Sequence, residues 1–380
     1  MLIDKKEKDT YRVGILGSYG GLNLGDEAIL ASIIDQLRES LPVEITVFSR
    51  DPEDTLARHQ VEHAVAIRKL KRIEVLPEIR KLDLLILGGG GILFDSEAKI
   101  FCTQTLMALD NQIPVMVYAV GAGPLHDPEA QKMVRECLNR AAVVTVRERS
   151  AAKILEDIGV NREIIVTADP ALLLKQQPLP EKTLEHEYID HTKCLVGMSV
   201  REPGPAAPGM NVELYHSLLA NAADFMIDRF NADIIFIPME RKMLDMQESH
   251  AVLSRMVRVQ RARVMKGEYT SRQVLSLVGH LKFAVGMRLH FLIFAALQGV
   301  PFVALPYASK VTGFLEALDL ESPPSQFVTA GQLLAYIDGS WDKKTLIQDR
   351  IQRAIPWLQK LARETNDIAV QLLKGTYETI

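Results

Sequence analysis

Residues 13–30 read VGILGSYGGLNLGDEAIL. An apolar run, Val13 to Leu16, ends in a glycine-rich turn, and helical periodicity begins at Asp26. Strand, Gly-rich turn and helix in that order open a parallel α/β unit, and such a turn ordinarily cradles phosphate on free backbone N–H groups. Gly20 and Gly25 have the spacing of a nucleotide-binding P-loop, but Asp26 stands where that loop needs Lys. A carboxylate there repels a triphosphate, which argues against an ATPase. The Gly-x-Gly-x-x-Gly dinucleotide pattern is also missing from this turn. Two compatible readings remain. Asp26 can cap the helix it begins. Alternatively, the Asn23 side chain and the backbone donors of Gly20 to Gly25 hold a polar, hydroxyl-bearing or anionic ligand, with Asp26 orienting the loop or binding hydroxyls.

Working outward, apolar runs alternate with amphipathic stretches. Strands are expected at Val13–Leu16, Ile45–Phe48, Leu82–Leu87, Val115–Val120, Val143–Val146 and Ile164–Thr167. Helices are expected at Asp26–Arg38, Lys99–Gln112, Asp127–Asn139 and Ser150–Ile158. Continuous apolar strands joined by helices imply a parallel sheet covered on both faces. From Lys175 to Lys193 the chain turns polar and carries Pro178 and Pro180, the composition of a linker. The alternation then restarts, with strands at Leu195–Val200, Ile234–Ile237, Phe283–Val285 and Val300–Leu305. The accompanying helices are Val212–Arg229, Lys242–Met256, Ser271–Leu281 and His290–Leu297. A helical tail, Lys343–Lys374, should break or kink at Pro356. The fold class is therefore α/β, with a doubly wound first domain and a second α/β domain of similar build. Gly88 to Gly91 and Gly121 to Pro124 come after strands as Gly17 to Gly21 does, so backbone there is closely approached by ligand, by the other domain or by a packed helix.

Composition narrows the function. A chain of 380 residues, 48% of them hydrophobic, can bury the cores of two or three domains. A net charge of −4 gives no overall basic footprint for nucleic acid, so an anion site must be built from local cations. Cys102, Cys137 and Cys194 lie far apart in apolar or helical runs, as reduced thiols do. The polar N-terminus and the lack of a long uncharged apolar run lead to a cytoplasmic expectation. No histidine shows metal-ligand spacing, and neither a Gly-x-Ser-x-Gly elbow nor a plausible cysteine nucleophile is present.

In open α/β sheets, ligands bind beyond the carboxyl ends of the strands. Val143–Val146 runs into Arg147 and Leu195–Val200 into Arg201; Phe283–Val285 leads to Arg288 and His290, and Val300–Leu305 leads to Lys310. Arg288 and His290 interrupt a segment otherwise apolar enough for core, where burial without a task is costly. Asp169, before Pro170, is equally a turn residue or a ligand contact. Arg258, Arg261, Arg263 and Lys266 read as a solvated face that could meet anionic lipid headgroups.

The motifs Gly17-Ser-Tyr-Gly-Gly-Leu-Asn-Leu-Gly-Asp-Glu-Ala, Gly88-Gly-Gly-Gly-Ile-Leu, Val120-Gly-Ala-Gly-Pro, Val146-Arg-Glu-Arg-Ser, Ala168-Asp-Pro-Ala and Gly286-Met-Arg-Leu-His, then Gly299-Val-Pro and Lys310, resemble those of the polysaccharide pyruvyl transferases. The resemblance covers about residues 11–315 and is nearest to bacterial members acting on secondary cell-wall polysaccharide. It implies a GT-B-like fold, two Rossmann-like domains facing across a cleft. On that basis residues 1–175 form the acceptor-side domain, 176–193 a linker, 194–342 the donor-side domain and 343–380 C-terminal helices. The implied donor is phosphoenolpyruvate, a substrate, with no cofactor and no metal. The implied acceptor is a sugar of a lipid-linked cell-wall precursor, met at the inner face of the membrane if the enzyme makes peripheral contact there.

By motif, Arg147, Arg288 and Lys310 hold the phosphate and carboxylate of the donor, roughly three negative charges, and Arg201 either assists them or contacts the acceptor. Asn23, Asp26 and Asp169 fall to the acceptor. His290 is the proton-transferring residue, since imidazole titrates in the physiological range. Two alternatives stand beside this. One is a nucleotide-sugar glycosyltransferase of the same fold, recruiting Glu316 for the ribose. The other is a non-catalytic glycan-binding protein in which His290 is structural.

Overall fold

A computed structural model of the protein describes residues 8–67, 72–202, 211–240, 244–305, 309–321 and 329–377. The chain divides into two units: Met1–Gly21, Asp26–Leu174 and Leu358–Ile380 make the first, and Leu22–Gly25 with Lys175–Trp357 the second.

The first unit holds a parallel sheet of seven strands: β1 (Tyr11–Leu16), β2 (Val43–Ser49), β3 (His63–Ala66), β4 (Leu84–Leu93), β5 (Val115–Ala122), β6 (Val143–Val146) and β7 (Ile164–Val166). They lie in the order β3-β2-β1-β4-β5-β6-β7. Every residue of β5 is buried, as expected for a central strand covered on both faces. Leu87, Val117 and Val144 pack into one core with Phe101, Cys102, Val134 and Cys137 from the helices Ala98–Asp110 and Pro128–Arg140. The neighbouring Cys102 and burial push the Cys137 thiol well above its ordinary range, so it is inert.

The second unit repeats the design with five strands: β8 (Cys194–Ser199), β9 (Ala232–Phe236), β10 (Ala262–Val264), β11 (Phe283–Gly286) and β12 (Phe302–Ala304), in the order β10-β9-β8-β11-β12. Its core carries Phe230 stacked on Trp341 with ring centroids 4.1 Å apart. In both sheets the direction of strand addition reverses beside the first strand, between β1 and β4 and between β8 and β11. Those are the topological switch points where ligands bind in such sheets.

Several boundaries differ from the expectation. The runs Gly88–Gly91 and Gly121–Ala122 lie inside β4 and β5 rather than after them, with a register shift between Gly91 and Leu93. Glycine is needed there because Gly89 and Gly90 take φ of 66° and 80°. The helix expected from Lys242 is observed as Asp245–Leu253; residues 241–243 lie outside the described residues.

The stretch expected as a linker is folded onto the second unit. The Glu187 carboxylate accepts hydrogen bonds from Lys266 N (2.9 Å), Gly267 N (2.6 Å) and Tyr269 Oη (2.8 Å). Most of the stretch faces solvent, and the buried Glu187 ties it down. The final helix, Lys344–Lys374, runs unbroken through Pro356. Gln352 and Pro356 are both exposed, so water can take the carbonyl that the missing N–H would have engaged. From Leu358 this helix belongs to the first unit, where Thr365 Oγ1 donates to Thr167 Oγ1 at 2.8 Å and Asn366 Nδ2 to Ser40 Oγ at 2.9 Å. Among the described residues, no helix is long and apolar enough to cross a membrane.

Candidate active site

The turn after β1 is held by its own side chains. Glu27, almost fully buried, accepts from Gly20 N (2.9 Å) through one carboxylate oxygen and pairs with His59 Nε2 (2.7 Å) through the other. The Tyr19 hydroxyl donates to the Gly88 carbonyl. Burial, then the charges of Asp26 and Glu27, raise the Tyr19 pKa well above its usual value, so it stays a neutral donor. The helix Leu24–Ser40 begins two residues before Asp26, and Asn23 Oδ1 accepts from Gly25 N at 3.0 Å in its first turn. Asp26 lies one turn in, its Oδ1 3.1 Å from the point that a Cβ on Gly90 would occupy.

At the end of β6 sits Arg147, 7% exposed. Its Nη1 donates to Asp169 Oδ2 at 2.7 Å and its Nε to Glu148 Oε2 at 2.9 Å. Burial opposes the charge, but the two carboxylates outweigh it and hold the Arg147 pKa above the ordinary arginine value. Asp169 also accepts from Ala171 N (2.9 Å), which starts the short 3-10 turn Pro170–Leu173. A Cβ on Gly121 would lie 2.9 Å from Glu148 Oε1 and 3.0 Å from Arg147 Nη2. At Gly89 and Gly121 the protein's own side chains, Ile29 and the Arg147–Glu148 pair, thus approach too closely for a Cβ.

In the second unit, Arg288 precedes the helix Leu289–Leu297, with Asp245 and Glu240 on its guanidinium. Asp245, fully buried, reaches Nε at 3.0 Å and Nη2 at 2.5 Å, and also accepts from Met239 N (3.1 Å) and Glu240 N (3.0 Å). Glu240 Oε2 lies 2.7 Å from Nη2. The Leu22–Gly25 segment joins this place: Asn23 forms an antiparallel bridge with Glu240, Leu24 N donates to Met239 O at 2.8 Å, and Ser271 Oγ donates to Leu24 O at 2.6 Å. Under that segment lies the imidazole of His290, in the first turn of its helix. A Cβ on Gly25 would collide with it, coming within 2.5 Å of Cγ and 2.8 Å of Cε1.

The other two cations of this unit come after neighbouring strands. Ser199 pairs with Gly286 in the β8–β11 register, so Arg201 and Arg288 stand two residues beyond a matched pair. Ala304 pairs with Gly286 on the other side, and Lys310 lies in the first turn of the next helix, Ser309–Ala317. The Tyr215 hydroxyl donates to Arg201 O at 2.8 Å and fixes that backbone. Arg201 itself lies 3.9 Å from Glu202 Oε1, and Arg258 and Arg261 pair with Asp228 at 3.0 Å and Asp233 at 2.7 Å. Glu316 is exposed near the end of its helix.

Against this geometry, the family profile of polysaccharide pyruvyl transferase matches residues 23–309, most of the chain. The chain belongs to that family. Membership supports a pyruvyl-transfer role in polysaccharide biosynthesis. The amylovoran biosynthesis protein AmsJ of Erwinia amylovora is 23% identical, covering 96% of this chain and 99% of that protein. Among solved structures, S. aureus MnaA with UDP is similar at TM-score 0.69 and 12% identity, over 97% of this chain and 98% of that one. A glycosyltransferase from Rickettsia africae matches at TM-score 0.60 and 12% identity, over 96% and 99%. Such distant likenesses show the fold alone: two Rossmann-like domains, as in GT-B glycosyltransferases and related epimerases.

Of the eight residues singled out in the sequence, the first unit carries Asp26, Arg147 and Asp169, the last two as an ion pair. The second carries Asn23, Arg201, Arg288, His290 and Lys310. Sequence reasoning missed Glu148, Glu240 and Asp245. Glu240 was within reach of the strand-end rule, since it comes just after the apolar run Ile234–Ile237. Asp245 carries no such signal, because a helix-opening Asp looks like any other.

Proposed function

We propose that the protein transfers the enolpyruvyl group of phosphoenolpyruvate onto a sugar of a lipid-linked cell-wall polysaccharide precursor, forming a cyclic ketal and releasing phosphate. The observation that carries this reading is the row Arg201, Arg288 and Lys310, placed after three adjacent parallel strands at a switch point, with His290 in the same place. A small ligand dense in negative charge and lacking a nucleoside suits a site of a few guanidinium and ammonium groups. In the first unit, Arg147 presents its remaining edge, Nη2, beside Gly91 and Gly121, and Asp169 serves by holding it.

The chemistry balances without a cofactor. A proton reaches the donor methylene, making it methyl and its C2 cation-like. One sugar hydroxyl adds to C2, the C2–O bond to phosphate breaks, and a second hydroxyl closes the ring. Of the two hydroxyl protons, one is matched by the new methyl C–H and the other leaves with phosphate. His290 is the group assigned to move them, a task typically worth about 10² to 10⁴ in rate. Acceptor hydroxyls fall to the loop bearing Asn23 and Asp26. An acceptor of that kind would be met at the inner face of the membrane, by peripheral contact.

Incubation with phosphoenolpyruvate and a panel of lipid-linked acceptors, read by mass, should show an added pyruvyl group and equimolar phosphate. Replacing His290 by Ala should abolish turnover while leaving phosphoenolpyruvate binding measurable by calorimetry. Normal turnover in that variant removes His290 from the mechanism.

A further inference from the structure

Two carboxylates share one guanidinium at Arg288, and they are held very differently. Asp245 is fully buried and anchored by two backbone N–H groups, Met239 N and Glu240 N, besides its two-point grip on Arg288. It is a permanent positioning residue that fixes the plane of the guanidinium. The Glu240 side chain is 32% exposed and takes the same Nη2 at 2.7 Å. Its backbone is pinned by the Asn23 bridge, so its side chain alone can swing away.

The charge balance makes that swing necessary. Two carboxylates more than offset the single charge of Arg288 itself, which weakens its pull on an arriving anion while they stay in place. The two carboxylates share the Nε–Nη2 edge of Arg288, so an anion that takes this edge must replace one of them, and Asp245 is too deeply fixed to yield. We propose that Glu240 is a stand-in for the donor phosphate, occupying its position on Arg288 in the empty enzyme and being displaced when the donor arrives. This rests on the donor reading above. The consequence is selectivity by charge. A phosphate group bearing close to two charges and three acceptor oxygens outcompetes a single carboxylate, whereas a simple 2-oxo acid such as pyruvate does not. Glu240 therefore sets a threshold that keeps plain carboxylates off the cationic row.

Calorimetric titration of phosphoenolpyruvate, inorganic phosphate and pyruvate into the wild-type protein and the E240Q variant tests this. The substitution keeps the side-chain shape and the backbone bridge and removes the charge. It should tighten phosphoenolpyruvate and phosphate by about fivefold, the weight of a partly exposed ion pair, and should let pyruvate bind. E240A should act in the same direction, with thermal melts confirming that both variants fold. Unchanged or weaker binding in folded E240Q and E240A overturns the displacement, because it means that Glu240 supports Arg288 rather than blocking it. If phosphoenolpyruvate binds equally to both proteins, the donor reading stands and the displacement falls. If phosphate tightens but phosphoenolpyruvate binds neither protein, the displacement stands and the donor reading falls. Absence of binding by every anion overturns both.

Discussion

The two units share one strand order around their switch points and use the positions above those points in opposite ways. In the first, the carboxyl ends of the strands are filled by the protein itself. Tyr19 and Glu27 close the turn after β1, and Arg147 is locked between Glu148 and Asp169 against glycine backbone. In the second, three cations come after three adjacent strands, and one of the carboxylates on Arg288 is exposed enough to exchange. The same topology thus yields an edge closed largely by internal hydrogen bonds in one unit and, on the proposal above, an exchangeable polar edge in the other. Fold alone does not place a ligand; the groups already held at the strand ends decide it.

The contrast breaks first at Asp169. Replacing it by Ala leaves Arg147 buried with one carboxylate instead of two and takes away the hydrogen bond to Ala171 N. Removing one partner of a buried pair typically costs about 3–5 kcal/mol. Chemical denaturation of D169A should show a loss of that order. A loss below about 1 kcal/mol, the scale of surface pairs, would mean that the first-unit edge is no more locked than the second.

Next is Gly25, where stability and activity should part. A methyl group there strikes the His290 ring, and the ring can give way more easily than the bridged backbone of Leu22–Gly25. G25A should therefore shift the imidazole by a fraction of an ångström or more while the sheets stay intact. Misplacement on that scale can cost about 10² in rate. Turnover assays beside thermal melts should show G25A crippled in rate but close to wild type in melting. A fall in melting comparable to that of D169A would assign Gly25 to the framework instead.

Much of this is legible in the sequence, for identifiable reasons. Central strands such as β5 and β8 are continuous apolar runs because both faces are buried, and that pattern survives without any structure. The edge strands β3 and β10 escape such a reading because His63–Ala66 and Ala262–Val264 are short and partly exposed, so they lack a continuous run. The cations are legible through topology, since each stands shortly after the carboxyl end of an apolar strand. Their carboxylate partners are not, because Glu148, Glu240 and Asp245 matter through spatial neighbours and each looks like an ordinary polar residue along the chain. Asp169 shows the same limit from the other side: its motif is visible, but its pairing with Arg147, 22 positions away, is not.

The smallest effect serves as a control, because it lies away from both switch points. Gly339 sits inside the helix Ala330–Asp342 and borders a cavity of about 240 Å³ lined by Phe302, Leu315, Tyr336 and Leu346. Among the described residues, nothing lies within 4 Å of where its Cβ would be. Glycine in a helix interior is about 0.5–1 kcal/mol worse than alanine, since it loses more backbone freedom on folding. With no clash to offset the gain, G339A should raise stability by about that amount and leave phosphoenolpyruvate binding and turnover untouched. A stabilised variant with unchanged activity would show that stiffening the second unit at large does not slow the site, so the loss expected in G25A belongs to His290 itself. If G339A instead lowers turnover, the mobility of this helix is part of the catalytic cycle, and the division between a rigid first edge and an exchangeable second one must extend beyond the strand ends to the helices that cover them.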